Sequence, residues 1–208
     1  MITEQDRESL WEICVNEHRY TPRIGDSVLD IGAHHGWFSL YCATRGATVS
    51  AYEPDPAAFE YLESQVHVSL KCGGTTIMPH KAAVWSEEGQ KLLWQRPNHI
   101  ANSMLRPSEY SVLVKTISLK QALAGKKWDC VKCDAEGAEA QIFLTAKHED
   151  FALIGYLTIE LHSDVLTLDQ NNALVRTFRE HFSRVDTVPE LKEGLQTGRT
   201  AKAFCWRV

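Results

Sequence analysis

The chain has no excess of positive charge, no long apolar run and no internal repeat. Its 208 residues carry 22 Lys and Arg against 27 Asp and Glu, a formal net charge of -5. That balance provides no basic field to draw in a phosphate backbone, so a small, neutral or weakly charged substrate is expected rather than a nucleic acid. No stretch approaches the length needed to cross a bilayer, and the opening MITEQDRESLWEICVNEHRY mixes charge throughout, without the basic and apolar regions of a secretory leader. A cytoplasmic protein with no membrane partner is the expectation. Linkers and low-complexity tracts are missing as well, so residues 1–208 read as one domain, with residues 1–26 as an amino-terminal helical extension.

A convincing cysteine framework is also lacking. Cys14, Cys42, Cys72 and Cys205 are scattered singly, and only Cys130 and Cys133 have C-x-x-C spacing. The surrounding WDCVKCD reads as a buried strand, in which side chains three apart point to opposite faces and cannot converge on one metal. Reduced thiols are the expectation.

What is present is an alternation of strand and helix patterns, which favours βαβ units and a parallel sheet. Strands are expected near SVLDI, TVSAYE, TTIMPH, WDCVKCD and YLTIEL. Helices are expected over WFSLYCATRG, stopped at Gly46, over Pro56 to Gln65, and around Asn171 to His181. Two closely spaced short strands, SRVDTV and TAKAFCWRV, suggest an antiparallel closing pair. From Trp85 to Val114 the pattern breaks into short polar pieces, to be read either as a β-hairpin or lid over a site or as an irregular surface excursion. The oligomeric state is not legible.

The stretch VLDIGAHHGWF, Val28 to Phe38, ends a strand at Asp30, turns at Gly32, and re-enters a helix after Gly36. Gly32 permits the sharp bend, and Gly36 is expected to let the helix pack close to the sheet. A nucleotide-like ligand or a merely structural βα junction both fit the turn alone. A dinucleotide enzyme normally has glycine where this chain has His34, so NAD is disfavoured, though an NAD-dependent oxidoreductase remains the first rival reading. Glu53 closes the second strand about twenty residues on, where a carboxylate can accept both hydroxyls of a ribose, and Glu53-Pro54-Asp55 strengthens the binding reading. Acids before and after the turn suit S-adenosylmethionine (SAM), with Asp30 near its methionine portion and Glu53 near its ribose. A non-catalytic module binding SAM or another nucleotide is the second rival.

Three blocks, DIGAHHGWFSL, YEPDPAAFEYL and VKCDAEGAE, resemble in order and spacing the FkbM-like SAM-dependent methyltransferases, over about Ser27 to Leu161. The resemblance implies a Rossmann-like class I methyltransferase fold: a mostly parallel central sheet with helices on both faces, here with an antiparallel carboxyl-terminal edge. It implies methyl transfer, most often to oxygen of a sugar, glycan or natural product. His34 stands where the family usually has asparagine; both side chains can donate a hydrogen bond. Ala83, opening AVWSEEG, and Asn102-Ser103 resemble family segments on the cofactor and substrate sides.

For a hydroxyl acceptor the protein must align a lone pair with the methyl and take up a proton. Asp134, at the end of the strand beside the methionine end, is the first candidate for both cofactor and acceptor contact, with Glu136 second. Glu160 and His162 are two apart in TIELH and are expected to share a face turned to the same crevice, giving a base and an orienter. Asp134, Glu160 and His162 are equally a reasonable ligand set for a divalent metal. The plainer readings are that Asp134 and Glu136 cap the next helix, that His162 and His35 are surface or capping residues, and that Trp37 and Phe38 are core. Trp85, Trp94 and His99 are positional guesses for an acceptor pocket wall.

Overall fold

The computed structural model describes residues 17–96, 102–188 and 200–207. Residues 1–16, which include most of the expected amino-terminal helix and Cys14, and also His99, lie outside the described residues. The main sheet has seven strands, β1 (Ser27–Ile31), β2 (Thr48–Tyr52), β3 (Ile77–His80), β7 (Trp128–Cys133), β8 (Ile154–His162), β9 (Arg184–Val188) and β10 (Thr200–Trp206), in the order β3-β2-β1-β7-β8-β10-β9. Neighbouring strands from β3 to β8 are parallel; β10 runs antiparallel to both β8 and β9. The class is therefore a Rossmann-like class I fold, with the expected antiparallel edge. The order reverses at β1, so the chain leaves β1 and β7 in different directions and opens a crevice at their carboxyl ends.

The period of two along the strands sorts the core into two layers. Val28, Val49 and Cys130 pack with Phe38, Tyr41, Phe59 and Leu62 from helices α1 (Trp37–Thr44) and α2 (Pro56–Lys71). Leu29, Ile31, Val131 and Cys133 face the other way, onto α3 (Leu119–Leu123), α4 (Glu139–Phe143), α5 (His148–Phe151) and α6 (Leu168–His181). Cys130 and Cys133 thus belong to opposite layers, as a regular strand requires.

Two helix bounds move outward. α2 continues past Gln65 to Lys71, since Val66 to Leu70 contains nothing that breaks a helix, and α6 begins at Leu168 because Thr167 caps it by accepting from Gln170 N. The broken stretch forms a second sheet, β4 (Ala83–Trp85), β5 (Gly89–Gln95) and β6 (Tyr110–Ser118), in the order β4-β6-β5. β5 and β6 pair antiparallel as a long hairpin, and β4 lies parallel to β6. No helix among the described residues is long and apolar enough to cross a membrane.

Candidate functional site

A cleft of about 560 Å³ opens at the carboxyl ends of β1, β2 and β7. Its floor is the glycine turn. Gly32 has φ +70°, and a Cβ there would stand 1.8 Å from the Asp134 carbonyl oxygen, so the turn needs glycine for close approach to the end of β7 as well as for its dihedral. Gly36 has φ +78°, and its missing Cβ makes room for Leu62 and Gln65 of α2 rather than for the sheet as expected. The reason is that α1 and α2 lie side by side on one face. His34, φ 50°, adopts the left-handed region without being glycine, a cost of about 1–2 kcal/mol. Histidine and asparagine both enter that region more readily than most residues, which accounts for either at this position.

Glu53 is buried beside the turn. Its Oε2 accepts from His34 N at 2.7 Å and its Oε1 from Asp55 N at 2.8 Å. Each oxygen keeps acceptor capacity toward the cleft. Burial pushes Glu53 up to about 7, with the two main-chain donors opposing. Asp55 caps α2 by accepting from Ala57 N and Ala58 N, and its second oxygen accepts from Gln95 Nε2 and Asn102 Nδ2. Ser103 Oγ donates to the Glu136 carbonyl at 2.7 Å. The small sheet is therefore latched to both sides of the crevice, and Leu93, Asn102 and Met104 line it. Trp85, by contrast, is buried in the main core, and neither it nor Trp94 lines the cleft. Those two expectations are corrected.

Asp30 is corrected too. It is fully buried and does not line the cleft; Ser39 Oγ donates to it at 2.7 Å and Lys132 Nζ lies 3.2 Å away. Asp30 and Lys132 are register partners on β1 and β7, and Lys132 also donates to the Gly32 carbonyl at 2.6 Å. Burial would lower the Lys132 ammonium, but the charges of Asp30 and Asp134 outweigh it and hold it above the ordinary lysine value. Asp30 thus braces the turn through a lysine instead of lining the cleft.

On the far side, Asp134 and Glu136 line the cleft above a buried histidine. His162 Nε2 is 3.6 Å from Asp134 Oδ1 and 3.4 Å from Glu136 Oε2, while Nδ1 is 2.9 Å from Glu139 Oε1. Glu139, fully buried, also accepts from Ala135 N and Gly137 N, so one carboxylate ties the loop after β7 to the end of β8. Burial would lower His162, but the Glu139 bond and the three carboxylate charges raise it to about 9. Burial raises Glu136 to about 7. Glu136 has φ 49° and turns into the cleft instead of leading away into the helix. Neither it nor Asp134 caps α4, whose first turn has no side-chain cap.

Glu160 does not join this group. It lines another part of the cleft, with Lys202 Nζ at 3.7 Å and His18 and Glu17 nearby. β10 inserts beside β8 and supplies Lys202, the register partner of Glu160, which an isolated reading of TIELH does not anticipate. His18 is pushed down to about 3 by burial and by Lys132 and Lys202. His34 stacks on His35 with ring centroids 3.9 Å apart, Tyr61 lies tilted against His35 at 4.5 Å, and Trp37 lines the cleft while 41% exposed. Pro54, Ala83 and Phe38 line it as well.

Sequence reasoning missed Lys132, Glu139 and Lys202, and it read Asp55 only as part of the binding segment Glu53-Pro54-Asp55, without its cap and latch contacts. The Asp55-Pro56 pair carried a helix-start signal, and Glu139, the last acid of DAEGAE, was in view; the two lysines carried none.

In open α/β sheets ligands bind at such a reversal of strand order, outside the carboxyl ends of the strands. The sequence model of the methyltransferase FkbM domain matches residues 30–185, and the chain belongs to that family of SAM-dependent methyltransferases. Among curated proteins none matches it. Solved structures that resemble it include a SAM-dependent methyltransferase from Agrobacterium tumefaciens (12% identity, TM-score 0.55, covering 100% of this chain and 64% of that one). A precorrin-6y C5,15-methyltransferase from Geobacter metallireducens GS-15 is similar at 11% identity and TM-score 0.51, over 100% of this chain and 90% of that one. A precorrin 8W decarboxylase from Methanobacterium thermoautotrophicum, at 13% identity and TM-score 0.52 over 97% and 90%, has the same fold.

The residues fit SAM. Glu53 retains lone pairs for a diol, and His34 Nε2 is a buried polar atom with no partner among the described residues.

Proposed function

We propose that the chain is an O-methyltransferase acting on a hydroxyl of a small molecule. The observation that carries this reading is the pair of carboxylates, Asp134 and Glu136, facing the cleft above a histidine whose orientation Glu139 sets. Glu53 would hold the ribose, His34 and Pro54 would flank it, Ala83 would offer a small apolar wall, and Asp134 would stand between cofactor and acceptor. Bound there, SAM supplies a methyl group on a sulfonium, which an attacking oxygen takes as the carbon–sulfur bond breaks. The hydroxyl proton would leave toward Asp134 and Glu136, with His162 fixing their positions from below. This reading gives Asp134 and His162 the roles expected of them and puts Glu136 in the place expected for Glu160.

A small acceptor is supported by the roof. Asn102, Leu93 and Met104 cover a cleft of about 560 Å³ that must also take the cofactor, and a net charge of -5 repels a polyanion.

Incubation of the chain with methyl-labelled SAM and extracts fractionated by polarity tests the reading. The expected result is label in a small-molecule product that survives mild alkali, as an ether does and an ester does not. Label confined to protein, nucleic acid or an amine overturns it. Thermal stabilisation by S-adenosylhomocysteine and none by NADH is the accompanying binding result.

A further inference from the structure

We propose that Asp134, Glu136 and His162 form a binding site for a first-row divalent cation at the acceptor end of the cleft. One ligand atom from each lies within 4.8 Å of the others, and His162 Nε2 stands 3.4 Å and 3.6 Å from the two carboxylate oxygens. Two ligand atoms held by one ion at metal–ligand bond lengths lie roughly 3 to 4.4 Å apart, so the group needs little movement to close on a cation.

A second observation points to a ligand. The His162 side chain is 5% exposed, and its Nε2 lies between the two carboxylates at ion-pair distance from each, where a cation would replace the ring proton. Its other nitrogen is tied to Glu139, a fully buried carboxylate. Metal-bound histidines characteristically hand their second N–H to such a carboxylate, which fixes the ring and makes the ligating nitrogen a better donor. Two carboxylates and one imidazole leave coordination positions open toward the cleft, and they suit Mn²⁺ or Zn²⁺ better than a thiol-seeking metal.

Binding stands on this geometry alone. A role in transfer rests on the O-methylation reading: with the ion held, Asp134 and Glu136 would be its ligands in place of accepting the proton, and a hydroxyl on the ion would be acidified and lose its proton to water. Glu160, paired with Lys202, is outside the ligand set.

Mn²⁺ titrated into the full chain, followed by loss of the free-ion electron paramagnetic resonance signal, tests the site. One Mn²⁺ per chain is expected. Glu136→Gln, at a partly exposed position, should weaken uptake about tenfold or more with an unchanged melting temperature of the metal-free chain, and Asp134→Asn should do the same; Glu160→Gln should leave uptake unaltered. No uptake by the wild-type chain, or uptake indifferent to Glu136→Gln, overturns the proposal. Methyl transfer without Mn²⁺ binding would sink the site and spare the O-methylation reading; Mn²⁺ binding without a methylated hydroxyl product would do the reverse. Turnover undiminished by a chelator removes the catalytic role.

Discussion

Glu53 is held by main-chain N–H groups from its own neighbourhood, whereas His162 is held by side chains that arrive from the loop after β7 and from α4. The first arrangement is set once β1 and β2 pair, because His34 and Asp55 follow directly on the two strands. The second exists only after β8 has docked beside β7 and the chain between them has folded back. Main-chain donors tolerate substitution of the residues that carry them, so the hold on Glu53 survives changes at His34 and Asp55. The His162 side of the cleft depends on the identity of four side chains and is where members of one fold can diverge.

Gly32→Ala tests the first arrangement most severely. The new Cβ would meet the Asp134 carbonyl at 1.8 Å in a left-handed turn, so the chain should lose more than about 3 kcal/mol in urea denaturation or fail to fold. Near-native stability would mean that the turn is not a rigid floor.

Glu139→Ala tests the second. It strips an acceptor from Ala135 N, Gly137 N and His162 together, and a loss of about 2–4 kcal/mol is expected, with partial recovery in Glu139→Gln. A change below about 0.5 kcal/mol would show that the loop after β7 is held by other contacts.

Glu53 gives the contrast a pH dependence. Burial raises it from the ordinary value of 4.5 to about 7, so between those values the folded chain keeps a proton that the unfolded chain has released. That contribution to stability is present at acid pH and is lost as pH rises through about 7. The anion that ribose hydroxyls require appears over the same rise. Affinity for S-adenosylhomocysteine, measured calorimetrically, should therefore increase from pH 6 to pH 8, roughly tenfold if one proton must leave. Glu53→Gln should bind more weakly and lose the slope; a flat wild-type profile would place the ribose elsewhere.

The smallest effect is expected at the latch between the two sheets. Asn102→Ala removes a donor to Asp55 and an acceptor for Arg96 N, and hydrogen exchange in β5 should lose about 1 kcal/mol of protection while the main sheet is unchanged. Equal loss in both would show that the roof and the main sheet open as one unit.

The main sheet was largely legible in the sequence because its signals are local: a buried strand reads as a continuous apolar run, and Gly32, Gly36 and Gly46 punctuate the chain where it turns. Glu53 was legible for the same reason, one strand and one turn beyond the glycines. Asp30 was misread because its burial depends on Lys132, a register partner about a hundred residues away. Glu160 was misread because alternation along β8 is only a direction; β10 then supplies Lys202 at one position, while Glu136, Glu139 and Asp134 collect at the other.

By itself, then, the sequence determined the strands of the main sheet, the helices that follow β1 and β2, the glycine turn, the acid after β2 and the membership of a methyltransferase family, all of which are written in local pattern and spacing. Only the tertiary structure decided which carboxylates surround His162, what Asp30 is bonded to and what roofs the cleft. Those depend on strand register and on loops meeting across the sheet, and spacing along the chain does not encode either.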